Sequence, residues 1–337
     1  MIRIRLDART LARTRLATSP LNEVVGALYL LLRSPGAVPW PYTAWAERAR
    51  AALRDDPRLG PLRLYPALHG RWHERPTPDV FSPPPPSAGP SIDEELAALR
   101  STPPPTVRAQ LAKHYPGGGP AALAPYRDDP AAALDRLAAA LAVFWQAAMA
   151  PFWPAIRTAL DEEVLARSRS LATAGPAAVL GELRGRVRWE PPVLGLVKPV
   201  ESAVDAAGRR LLLVPVLFAQ DVLMCSTDDP EVLMVTYQAR GAGVLAARRA
   251  ARAGGGGDDR LALLTGPARA AVLRALVAPA TTTGLARELG LAPSTVSQHL
   301  STLLAAGLAE RHRAGTSVLY ALTPDATVLL RLLGPAA

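Results

Sequence analysis

The chain is poor in three residue types. Its 337 residues contain one cysteine, Cys225. A disulfide within the chain is therefore impossible, and so is a multi-cysteine zinc or iron–sulfur centre. Lys113 and Lys198 are the only lysines among 38 basic side chains. The positive charge is almost all guanidinium, and with abundant Ala and Gly and 34 prolines it reads as a GC-rich coding bias. The net charge of +9 is thus thin ground for a nucleic-acid partner. Residues 258–337 hold 7 arginines against 5 acids, so the surplus is spread along the chain. Aromatic residues make up 5%, which leaves Ala, Leu and Val to build the cores. The start, Met1-Ile-Arg-Ile-Arg, shows no apolar signal region of roughly 7–15 residues, so a cytoplasmic, reducing location is the expectation. A hydrophobic content of 49% excludes a disordered chain, and the length suits about two domains.

Alternation predicts a strand over Ile2–Leu6, and helical spacing a helix around Leu21–Arg33. Residues 76–105 contain ten prolines and read as largely an extended surface loop. From Pro130 to about Ala174 the pattern is that of one or two long helices, broken near Pro151 and Pro154. Leu137–Ile156 is uncharged and of membrane-spanning length. Its alanines, Gln146 and two prolines favour a buried helix pair, and no membrane partner is expected. After Gly185, Val187–Trp189, Val193–Val197, Leu211–Phe218 and Val232–Gln238 read as strands. A short helix, Val244–Arg252, leads into the glycine run 254–257, a joint by composition. The expected organisation is a mixed α/β amino-terminal domain (1–253), the glycine linker (254–257) and a helix-turn-helix domain (258–337), giving an α+β, mostly α chain.

Function is most legible in the last 80 residues. Pro267–Val277 reads as a helix stopped by Pro279. Thr281, Thr282 and Thr283 offer cap hydroxyls for a short helix, Gly284–Leu289, ended by Gly290. Pro293 opens a third helix running to about Ala306. Ala286, Gly290 and Val296 stand where a helix-turn-helix needs a small residue, a turn glycine and a buried aliphatic. Val296, Leu300 and Leu303 fall on one side of the third helix, and Ser294, Thr295, Gln298, Ser301 and Thr302 on the other. That short, uncharged, polar face suits a major groove, where Gln pairs with adenine and Ser or Thr meets several base edges. Ser297 and His299 lie on its flanks, His299 as a partly buried or backbone-contacting residue. Leu308–Arg313 and Ser317–Leu322 alternate about Ala314-Gly315-Thr316, a hairpin signal. Arg311 and Arg313 share a face and can hold phosphates, while Val318, Tyr320 and Leu322 share a face for packing. The predicted DNA-contacting set is Thr283, Ser294, Thr295, Ser297, Gln298, Ser301, Thr302, Arg311 and Arg313.

Residues 262–323 resemble the winged-helix head of the ArsR family of bacterial repressors, on Thr283-Gly-Leu-Ala-Arg-Glu-Leu-Gly-Leu, Ser294-Thr-Val-Ser-Gln-His-Leu and Ala306-Gly-Leu. The resemblance covers under a quarter of the chain. It implies a homodimer on double-stranded DNA at a palindromic operator, with flanking helices (here 258–277 and 324–333) paired across the two-fold axis and release by an effector. Metal-sensing members carry cysteines in the head, or His and acids on the last helix. Here Leu285-Ala-Arg-Glu-Leu has no cysteine and Asp325–Leu333 offers only Asp325. No metal and no cofactor are expected, and the implied effector is a small organic molecule. The wing turn carries Thr316 where a basic residue is common. The amino-terminal region resembles, through Met1–Arg15, His114-Tyr-Pro and Tyr237-Gln-Ala-Arg-Gly, an uncharacterised domain preceding such heads in regulators of GC-rich bacteria.

Other features carry less. Gly241-Ala-Gly-Val-Leu-Ala matches a dinucleotide-binding turn but lacks the second strand and its acid. His69, His73 and Glu74 lack a further ligand and a stable helix. Cys225 reads as a buried small residue, with a redox-sensing thiol the sharper alternative. Phe144-Trp145 and Phe152-Trp153 recur eight residues apart. Core packing accounts for them, and an effector pocket would make Trp145 and Trp153 the candidates. No hydrolase elbow, phosphate-binding lysine loop or carboxylate pair points to an enzyme. An enzyme or a protein-interaction module bearing a regulatory head remains the alternative to a repressor.

Overall fold

The computed structural model describes residues 1–36, 38–39, 41–69, 77–183, 185–219, 222–242, 245, 260–277, 279–314 and 317–333. The chain divides into two compact units, one of Met1–Val38 with Arg48–Ala239, the other of Pro39–Glu47 with Arg240–Ala337. Several sequence expectations lie outside the described residues: the glycine run 254–257, most of the helix expected over 244–252, part of the glycine turn at 243–244, and 315–316 of the hairpin turn. His73, Glu74 and the side chain of His69 lie outside them as well.

In chain order the first part runs β1 (Ile2–Arg5), α1 (Ala8–Ala12), β2 (Arg15–Leu16), α2 (Pro20–Arg33), α3 (Thr43–Asp55), α4 (Leu64–His69), α5 (Ile92–Arg100), α6 (Pro104–His114), α7 (Ala124–Asp128), α8 (Pro130–Phe144) and α9 (Trp153–Glu182). Among the described residues six strands follow: β3 (Val187–Glu190), β4 (Val193–Leu196), β5 (Ser202–Asp205), β6 (Arg210–Val216), β7 (Cys225–Ser226) and β8 (Val232–Gln238). Local chemistry explains the boundaries. Ser19 caps α2 by accepting the Asn22 N–H at 3.0 Å, and Pro20 stands where no intrahelical donor is needed. A π turn, Trp145–Met149, ends α8, and Gly175 at φ +79°, followed by Pro176, breaks α9.

The proline-rich stretch 76–105 is not one loop. Its prolines gather at 76–90 and 103–105, and the proline-free interval between them forms α5. Ser91 accepts the Glu94 N–H at 3.2 Å while Glu94 accepts the Ser91 N–H at 2.7 Å, a reciprocal cap. Ile92, Leu96 and Leu99 are buried. Pro104 then opens α6, where a first-turn proline is tolerated.

The strands form two four-stranded sheets. The first has the order β3-β4-β1-β5, with β4 antiparallel to both neighbours and β1 parallel to β5 in the register Ile2↔Ser202 to Arg5↔Asp205. The second has the order β2-β6-β8-β7, with β2 and β8 parallel to β6 and β7 antiparallel to β8. One apolar core joins them: Ile2, Ile4, Leu194 and Leu196 from the first sheet, Leu211, Leu213, Leu233 and Val235 from the second, and Val179 and Leu180 from α9. The stretch Pro130–Met149 has the length and hydropathy of a membrane span. Leu134, Leu137, Leu141 and Phe144 are nonetheless fully buried within the protein.

The second unit contains α10 (Arg260–Thr265), α11 (Pro267–Ala275), α12 (Thr282–Leu289), α13 (Pro293–Ala305), β9 (Ala309–Ala314), β10 (Ser317–Leu322) and α14 (Pro324–Leu333). Val272, Leu273, Leu285, Leu289, Val296 and Leu300 form its core, with Tyr320 and Leu322 of β10 packed against it.

Candidate nucleic-acid interface

The interface is built on the turn between α12 and α13. Thr281 Oγ1 accepts the Gly284 N–H at 3.0 Å and starts α12, as the run of three threonines predicts. Gly290 ends it at φ +62° and ψ +25°, a left-handed conformation that costs a side-chain-bearing residue free energy. Leu291 then donates to the Ala286 carbonyl at 3.0 Å, and Pro293 opens α13. The tight approach needs the small Ala286, which is 6% exposed, and the Val296 anchor, which is fully buried.

Val296, Leu300 and Leu303 hold α13 against the core, which leaves Ser294, Ser297, Gln298, Ser301 and Thr302 exposed and Thr295 half-buried. The exposed ridge carries no acid, so nothing on α13 repels a phosphate chain. Two hydroxyls are already committed as donors: Ser301 Oγ to the Ser297 carbonyl at 2.9 Å, Thr302 Oγ1 to the Gln298 carbonyl at 3.0 Å. As placed they meet a ligand as acceptors. Gln298 keeps both donor and acceptor for a base edge. His299 is half-buried, and burial, with Arg269 beside it, pushes its imidazole below the usual value. Arg269, exposed on α11, thus stands near α13, a cation that reading the turn alone did not include. Thr283 is exposed in the first turn of α12.

Strands β9 and β10 pair antiparallel from Ser317↔Ala314 to Leu322↔Ala309. Arg311 lies opposite Tyr320 and Arg313 opposite Val318. Directly opposed residues share a sheet face, so exposed Arg311 stands on the face that packs through Tyr320 and Leu322. That face is apolar at its root and basic farther along. Val318 is 42% exposed, so of the three residues expected to pack only Tyr320 and Leu322 reach the core. Ala280 and Tyr320 tie the hairpin to the helices through reciprocal N–H···O bonds of 3.0 and 2.8 Å.

Among the remaining candidates, Trp145 and Trp153 meet edge to face with centroids 5.0 Å apart. Trp145 is buried and Trp153 half-buried. Cys225 is half-buried on edge strand β7.

A family model described as a helix-turn-helix domain fits residues 263–312. No curated protein and no solved structure matches the chain. The matched span runs from α10 through the turn and α13 into β9. Residues 263–312 form a helix-turn-helix DNA-binding domain, the mark of a DNA-binding regulator.

Proposed function

We propose that the protein is a one-component cytoplasmic transcriptional regulator of ArsR-like, winged-helix type, and not an enzyme. It binds a palindromic operator as a homodimer and represses by occupying the promoter, until a non-metal organic effector alters its affinity. The observation that carries this reading is the ridge of α13: exposed, uncharged, rich in hydroxyl and amide groups, and backed by fully buried aliphatics. Major-groove readout needs that combination. The basic continuation of the hairpin face supports a wing on the backbone.

The dimer has its own support. Leu263 and Leu264 on α10 and Val328 and Leu332 on α14 are 71%, 72%, 52% and 67% exposed. These two helices pack on each other and are the ones that the family resemblance assigns to the two-fold interface. Large aliphatics left in water on adjoining helices are what a second copy covers.

The test is binding of the purified chain to tiled fragments of its own upstream DNA at two salt concentrations. A Gln298→Ala, Arg311→Ala, Arg313→Ala variant runs beside it. Salt-sensitive binding to one palindromic site, lost in the variant, is expected. Failure to bind any fragment, with variant and wild type alike, overturns the reading.

A further inference from the structure

The first unit holds a cavity of about 640 Å³, within the ~300–1,000 Å³ typical of small-molecule sites. It is lined by the edge strands of both sheets, β5 of the first and β7 of the second. Much of its wall is apolar and aromatic: Ile2, Val25, Tyr29, Tyr65, Phe81 and Met224. Neither Trp145 nor Trp153 lines it.

The charges in its wall are unequally satisfied. Among the described residues, each of its four carboxyls has donors inside the protein. Asp228 accepts from Lys113 and pairs with His114, both at 2.5 Å. Asp79 accepts from Ser226 Oγ at 2.6 Å and the Asp228 N–H at 2.7 Å. Glu201 meets the Met1 ammonium and Arg3, both at 3.2 Å, and Asp205 accepts the Ala207 N–H at 2.9 Å. Three of the cations are different. Arg186 donates to the Val197 carbonyl at 3.2 Å, and Arg209 only to backbone carbonyls, among them those of Asp205 and Thr227. Half-buried Lys198 has no ion pair among the described residues. Among the described residues these three cations thus face the space without a carboxylate, beside an apolar wall.

Composition sharpens the point. In a chain where nearly every base is arginine, both lysines line this one cavity. Lysine supplies a compact, flexible point charge in place of a rigid fork, and that suits a single anionic head of variable orientation.

We propose that this cavity binds a small amphipathic organic anion, its apolar or aromatic body against Tyr29, Tyr65 and Phe81 and its carboxylate or phosphate head on Lys198 and Arg186. Its role as the effector site rests on the regulator reading above, whereas the binding itself does not.

The test uses the full chain and displacement of the fluorescent probe 8-anilinonaphthalene-1-sulfonate. Four competitors share one ring system: 2-naphthoate, 2-naphthyl phosphate, 2-naphthalenemethanol and 2-naphthylmethylammonium. Saturable binding is expected, with at least one anion tenfold or more tighter than the alcohol and the ammonium weakest. The order of the two anions tells carboxylate from phosphate. Lys198→Ala is expected to weaken the preferred anion at least tenfold and the alcohol less than twofold. Ser202→Trp, paired with cavity-lining Ile2 on exposed edge strand β5, is expected to fill the cavity and abolish competition by all four. Circular dichroism checks that both variants stay folded. Equal affinity for anion and alcohol, no saturable binding, or wild-type binding by folded Ser202→Trp overturns the proposal. Anion binding that leaves DNA affinity unchanged removes the effector role and keeps the site. Anion binding in a chain that binds no DNA removes the regulator reading alone.

Discussion

The Glu23 carboxyl of α2 accepts the backbone N–H of Leu217 at 2.7 Å, just past the end of β6, and its second oxygen takes the Phe218 N–H at 3.1 Å. One fully buried side chain thereby satisfies two donors that the sheet leaves behind. Glu23→Ala strips both, and unsatisfied buried donors cost roughly 1–3 kcal/mol each, so a loss of about 2–6 kcal/mol is expected in urea unfolding. A loss under about 1 kcal/mol would show that water replaces the carboxyl.

Burial pushes the carboxyls of Glu23 and Glu95 up to about 8 each. The unfolded chain ionises them near 4.5, whereas the folded chain holds their protons until about pH 8. Their contribution is therefore complete below pH 4.5 and is lost as pH rises to 8, at roughly 1.4 kcal/mol per pH unit per group. Urea unfolding between pH 5 and 8 should show stability falling with pH, with a shallower fall in Glu95→Gln. Parallel profiles for variant and wild type would remove Glu95 as a source of the slope.

Gly26 lies within α2, where alanine would ordinarily gain up to about 1 kcal/mol. A Cβ there would meet the Phe218 carbonyl oxygen at 3.0 Å. Backbone on the far side cannot give easily, so Gly26→Ala is expected to lower the melting temperature and Gly26→Val to lower it further. An alanine variant that melts higher than wild type would mean that the helix and the sheet end adjust to each other.

On DNA, Gln298→Ala and Arg311→Ala should fail in different ways. Loss of a base-reading amide costs about 1–3 kcal/mol at the cognate site and narrows the gap to non-cognate DNA. Loss of a phosphate contact weakens all sequences alike and lowers the salt slope by about one. Titrations on operator and scrambled DNA at several salt concentrations separate the two. Identical behaviour of both variants would dismiss the division of labour.

Leu332→Glu places a charge among the exposed aliphatics of α10 and α14. Sedimentation should show the wild type as a dimer and the variant as a monomer, with operator affinity at least tenfold lower. A dimer that survives the substitution would move the interface elsewhere.

How much of this was legible in the sequence depended on how local the cause was. The helix-turn-helix could be read because its determinants lie within some twenty residues: three threonines, Gly290, Pro293 and the Val296-Leu300-Leu303 stripe. The first strand was legible from the alternation of Ile2, Ile4 and Leu6. Strand β5 was not, because Ser202–Asp205 is a largely exposed edge whose partner lies some 200 residues earlier. Helix α5 was hidden by proline density averaged over a window, although Ser91 and Glu94 spelled its cap. The cavity could not be read at all, since Ile2, Val25, Lys113 and Lys198 converge only through the fold. Its one trace in the sequence is the scarcity of lysine, whose meaning emerges only in the fold.

The placement of β1 and β2 also bears on how the protein is made. Both strands are made long before their partners: β1 pairs with Val193–Leu196 and Ser202–Asp205, and β2 with Leu212 and Leu213. At synthesis rates of ~5–20 residues per second, the partners of β1 arrive on the order of 10–40 s later. Through that interval Ile2, Ile4 and Leu6 have no sheet to join, while the helices between can already pack. The apolar face of β1 must therefore be shielded in the nascent chain until the fifth strand is complete.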